Sequence, residues 1–101
     1  MRALTVAQEI LTFLKGFRHE AQGEASEALE HDVQYIESCI ALLKSGQKDQ
    51  INEVWRGVQK ISKFFGGDYL STVDDEDKLN NLLDDFFREL LDAVTESRSH
   101  P

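Results

Sequence analysis

The side chains with most capacity for chemistry in this chain are three histidines (His19, His31, His100), one cysteine (Cys39) and a run of four acids, Asp74-Asp75-Glu76-Asp77. Nucleophilic catalysis needs a nucleophile within hydrogen-bond reach of a base. His31 and Cys39 are eight residues apart, which on one regular helix is about 80° around the axis, so they do not face each other. The serines are scattered over polar faces, and no triad can be assembled from them.

Metal binding in a helical bundle uses Glu-x-x-His pairs that project inward. Glu20, Glu24, Glu27 and His31 recur at helical intervals, but Ala28 stands three residues before His31 and Gly16 three before His19, so that pattern is absent. A calcium loop starting at Asp75 would place Leu79 at its fifth position, Asn80 where glycine is needed and Phe86 at its last ligand. Gly66-Gly67 lacks the following Lys-Ser or Lys-Thr of a phosphate loop and reads as a helix terminator. These absences predict a protein with no catalytic residue, no metal site and no cofactor, one that binds and is not an enzyme.

The elements that must position these residues are helices. A chain of 101 residues with 41% hydrophobic content buries one core and has no room for a second. The only proline is Pro101, and few segments alternate as a half-buried strand does. Thr5, with Gln8 three residues on, has the pattern of a capping box, and Val6, Ala7, Ile10, Leu11, Phe13, Leu14 and Phe17 follow at helical spacing. Gly23 lies in a junction without large apolar residues.

A second helix is predicted from Glu24 or Ala25 to Lys44, stopped by Ser45-Gly46. A third is capped by Asp49, carries Ile51, Val54, Trp55, Val58, Ile61 and Phe65, and halts at Gly66-Gly67. The fourth opens on the acid run and reaches Thr95. Its apolar arc, from Leu79 through Leu83, Phe86, Phe87, Leu90 and Leu91 to Val94, is wide enough for two neighbouring helices or for a partner. Trp55, Phe64-Phe65 and Phe86-Phe87 read as core. The expectation is an all-α fold, a four-helix bundle mostly antiparallel between neighbours, with one domain over 1–95 and a polar tail over 96–101.

The longest apolar run, Cys39 to Leu43, is far too short to cross a bilayer, and Gln8 and Glu9 interrupt the apolar stretch after Arg2. With a single cysteine as well, this predicts a cytoplasmic protein with no membrane span.

Charge is unevenly placed. Of a net charge of -8, residues 66–94 hold nine acidic against two basic side chains, and residues 2–18 and 46–65 are mildly basic. Alternating charge favours correct helix pairing, and carboxylates at a helix start meet the positive end of its dipole. Four consecutive acids exceed what one dipole needs. Together with Asp68, Asp85 and Asp92, the run Asp74 to Asp77 forms a field that attracts a basic protein surface and repels nucleic-acid phosphates. Tyr69, beside Asp68, is either an aromatic anchor for that partner or a ring that closes the end of the bundle.

Phe65-Gly66-Gly67, a short linker, and a helix bearing Asn80, Leu83-Asp84 and Glu89-Leu90 resemble a pattern in small acidic all-helical bacterial proteins of the immunity type. Where those proteins have a methionine-glycine-serine turn, this chain has Asp68-Tyr69-Leu70-Ser71. The resemblance implies a bacterial immunity protein that neutralises a cognate toxin by tight binding. Acidic immunity proteins of the colicin type add a looser analogy, in which acidic and tyrosine residues bind a nuclease. The partner-binding residues expected are therefore Asp68, Tyr69, Asp74, Asp75, Glu76, Asp77 and Asp85. The alternative is a structural or regulatory helical subunit, acting as a homodimer or by packing on a partner helix through surplus apolar surface at Phe87 and Leu91.

Overall fold

A computed structural model describes residues 2–60, 69–70 and 72–99, without the side chains of 60 and 96–99. It contains four helices in the order α1 (Arg2–Lys15), α2 (Glu24–Lys44), α3 (Lys48–Lys60) and α4 (Val73–Ser99), with no strand among the described residues. Each helix follows from its apolar spacing. Ala3, Val6, Ala7, Ile10 and Leu14 of α1 are buried, as are Leu29, Val33, Ile36, Cys39, Ile40 and Leu43 of α2. Ile51, Val54 and Val58 complete the core from α3, and Leu79, Phe86, Leu90 and Val94 from α4.

Helix ends depart from the sequence expectations where a neighbouring residue does the terminating. The first helix does not start at Thr5. It begins at Arg2, because Ala3 and Leu4 are good helix formers and Ala3 gains burial. Thr5 therefore lies inside the helix. At the other end Gly16 donates to the Phe13 carbonyl at 3.2 Å, and a tight turn follows that leaves Phe17 buried, edge-on to Phe13 at 5.1 Å.

The second helix has the bounds its sequence predicts. Gly23, at φ 61°, admits the chain, and Glu24 and Glu27 meet the dipole in the first turn. The Ser45 hydroxyl donates to the Leu42 carbonyl at 2.7 Å, and Gly46 turns the chain at φ 69°. Asp49 is not the cap of α3. The Gln47 carbonyl accepts from Gln50 and Ile51, so Asp49 falls in the first turn, where its charge still suits the dipole. The predicted end of α3, with Ile61, Phe64, Phe65 and Gly66-Gly67, lies outside the described residues.

The fourth helix is capped by Thr72, whose Oγ1 accepts from the Asp75 amide at 3.1 Å and whose carbonyl accepts from Glu76. It continues past Thr95 to Ser99, beyond the expected start of the polar tail, because neither glycine nor proline interrupts it there.

The helices pack in a ring. α1 touches α2 and α4, α3 touches α2 and α4, and no contact links α1 with α3 or α2 with α4 among the described residues. The wide apolar arc of α4 is thus explained by two neighbours, α1 and α3. Arg2 pairs with Glu89 at 3.3 Å, and the Lys78 ammonium lies 5.3 Å from the centre of the Phe13 ring. Those two contacts run in opposite order along the two helices, so α1 and α4 are antiparallel. No helix among the described residues is long and apolar enough to cross a membrane.

Candidate protein-interaction surface

The acidic surface is built by the start of α4. Thr72 fixes where the helix begins, Asp74, Asp75 and Glu76 then occupy its first turn at the positive end of its dipole, and Asp77 follows directly. Asp74, Glu76 and Asp77 are exposed and Asp75 is half-buried. Among the described residues none of the four is in an ion pair.

At about 100° per residue, Asp74, Asp75 and Asp85 fall within roughly one quarter-turn to one third of a turn of each other. They share that side with Lys78, Leu82 and Glu89, and Lys78 and Glu89 contact α1. Glu76 and Asp77 point to other sides. Sequence adjacency therefore does not make one patch of the run: it divides between the α1 side and open solvent. Asp85 is exposed and has the Arg88 guanidinium 3.8 Å away, a loose surface pair. Asp68 lies outside the described residues.

Tyr69 is placed elsewhere. It is buried, its ring 5.9 Å from that of Phe17, and its hydroxyl donates to Asp32 Oδ2 at 2.5 Å. Of the two roles open to it in the sequence, this geometry is that of a ring closing the bundle end, tying the segment before α4 to α2. A side chain turned inward in this way is not offered to a docking partner.

The residue that sequence reasoning missed is Asp32. It is the one buried charged side chain among the described residues, and only 4% of it is exposed. The signal was there: Asp32 lies three residues after Leu29, next to Val33 and four before Ile36, all fully buried. Burial pushes its carboxyl pKa above the usual value, against the opposing pull of the Tyr69 hydroxyl and of His31. His31 Nδ1 is 3.4 Å from Asp32 Oδ1, but the imidazole itself is largely in water.

Cys39 is buried, and burial raises its thiol pKa to about 11 despite a hydrogen bond with Tyr35 that lowers it. A thiol so placed is a weak nucleophile at neutral pH. Burial, and then Cys39, likewise push the Tyr35 phenol up. The Tyr35 hydroxyl comes so close to α3 that a Cβ on Gly57 would sit 2.7 Å from it and displace the phenol end. Among the described residues no group of three His, Cys, Asp or Glu side chains is close enough to share a metal ion.

The feature left exposed at the surface is thus the set of carboxylates on the first turns of α4. Comparison with protein-family models, with curated proteins and with solved structures finds no match to this chain.

Proposed function

We propose that this chain is a binding protein that neutralises a cognate bacterial toxin, docking its acidic α4 surface on a basic face of that toxin. The observation that carries the reading is the state of Asp74, Glu76 and Asp77. They are exposed and in no ion pair among the described residues, on a helix whose core face packs on α1 and α3. Carboxylates left without internal partners contribute little to the fold and a good deal to long-range attraction, which speeds encounter with a cationic surface. A toxin that acts on nucleic acid suits this field well, since its own polyanion site must be basic.

The test is co-expression. A reading frame beside this one should encode a protein that kills cells when expressed alone and spares them when this chain is present. Replacing Asp74, Asp75, Glu76 and Asp77 together by their amides should slow association by at least about ten-fold at low salt and weaken protection. Protection that is unchanged by the neutralised variant removes the acidic surface from the account, and no protection at all removes the toxin.

The homodimer reading draws on one observation, the exposure of Leu91, which keeps 48% of its surface. A dimer held there would persist in high salt, where steered association slows.

A further inference from the structure

We propose that the groove between α1 and α4 receives one large apolar side chain of the same basic partner, and that the flanking carboxylates hold the lysines or arginines on either side of it. This rests on the acidic docking surface argued above and adds to it the place where affinity, as distinct from steering, is generated.

The groove is a depression of about 470 Å³. Its floor is the half-buried Phe13 and Leu82, and its walls are Gln8, Glu9 and Thr12 from α1 and Lys78 from α4. That volume has room for one aromatic or branched aliphatic side chain, and the depression lies open to solvent, where a partner's surface can reach it. An exposed cleft with an aromatic floor is the setting in which one inserted side chain carries most of an interface's energy, provided a polar rim keeps water out.

Charge complementarity identifies the occupant. The antiparallel register sets Lys78 over Phe13 and puts the start of α4 beside the end of α1. Asp74 and Asp75 therefore stand one turn from the groove along α4 on one side, and Asp85 stands one turn from Leu82 on the other. Glu9 adds a carboxylate from the opposite wall. Lys78 is the single cation lining the groove, and it faces the Phe13 ring. A segment with an apolar side chain between two basic ones matches this surface, whereas a second copy of this chain, at net charge -8, would bring acids against acids.

The probe is a synthetic helical peptide of lysine and leucine with one central tryptophan, beside the same peptide with alanine in its place. Both are titrated into the full chain and followed by amide chemical shifts. The tryptophan peptide should perturb Thr12, Phe13 and Leu82, and the alanine peptide should bind about ten-fold more weakly, as loss of an anchor side chain does.

Gln8→Trp, which fills the groove from an exposed position, should erase that difference; if it does not fold, Thr12→Trp serves the same purpose. Asp74→Asn with Asp85→Asn should weaken both peptides alike. Equal binding of the two peptides to the native chain overturns the groove and leaves the charge-steering account standing. Failure of both peptides to bind also overturns it, and protection in the co-expression assay then decides the toxin reading separately. A chain that sediments as a dimer alone and becomes monomeric on Gln8→Trp assigns the groove to a second copy and overturns the basic partner.

Discussion

Two sets of carboxylates in this molecule show how little an acidic residue means until its surroundings are known. Asp32 is buried in α2, accepts a hydrogen bond from Tyr69 and lies against the apolar residues around it. Asp74, Glu76 and Asp77 at the start of α4 are exposed and in no ion pair among the described residues. Both sets add to the same net charge, yet they act on different links of the chain from sequence to function. The first belongs to the fold, because a buried ion needs partners and is costly without them. The second contributes little to stability, because a solvated ion is screened by water, but its field acts at long range, and the proposed docking surface draws on that. The difference teaches that the acidic balance of the sequence is the sum of a buried part tied to the fold and a solvated part free of it, which substitutions separate.

The largest effect is expected at the buried set. Tyr69→Ala removes a nearly buried ring from its contact with Phe17 and leaves the Asp32 carboxylate without its hydroxyl donor. Unfolding by urea should show a loss of about 3–5 kcal/mol, the range for truncating a buried aromatic. Tyr69→Phe keeps the ring and removes only the donor, so its loss should be about 1–3 kcal/mol. Equal stability of Tyr69→Phe and the native chain would mean that the hydroxyl does not hold Asp32, and the contrast between the two acid sets would lose its basis.

Asp32→Asn sharpens the comparison through pH. Burial raises the Asp32 pKa above its ordinary 3.8, so the folded chain holds that proton more tightly than the unfolded chain does. The stabilisation that belongs to the protonated form is complete below the unfolded value and is lost as pH rises through the folded one; at neutral pH the buried charge is a cost. Asparagine bears no charge and keeps a carbonyl to accept from Tyr69. Asp32→Asn should therefore be more stable than the native chain at neutral pH, and the advantage should disappear on acidification below the ordinary carboxyl range. A variant that is less stable at neutral pH would show that the Tyr69 and His31 interactions outweigh the burial of the charge.

How much of this was legible in the sequence follows the same division. The helices and their inner faces were readable, because burial of Ile10, Leu14, Leu29, Ile36, Phe86 and Leu90 follows from spacing alone. Helix ends were less so. Thr5 and Asp49 have capping chemistry, but Ala3 buries and Gln47 closes the turn, so tertiary contact and loop geometry decided the matter. The acid run was visible as a run, and helix periodicity already puts Asp74 and Asp75 on a side with Asp85, but only the packing shows that this side faces α1. Tyr69 was ambiguous for a physical reason: a tyrosine beside an acid can serve a surface or a core, and the deciding partner, Asp32, stands 37 residues away. Asp32 is hard to read as buried because a carboxylate ordinarily faces solvent, although Leu29 and Ile36, three before and four after it, are apolar.

The smallest expected effect belongs to the exposed set, and it is the one that makes the comparison quantitative. Asp77→Asn removes an exposed carboxylate just past the first turn of α4, where the fading field of the helix dipole is the favourable interaction left to it and no ion pair holds it among the described residues. Its stability loss should be no more than about 0.3–1 kcal/mol at low ionic strength and should shrink with added salt. Thr72→Ala is the internal control, because the Thr72 hydroxyl accepts the Asp75 amide and its removal should cost about 1 kcal/mol with no dependence on salt. If Asp77→Asn were to cost as much as Thr72→Ala in high salt, that carboxylate would have a structural partner, and the helix start would belong with Asp32 and not with a docking surface.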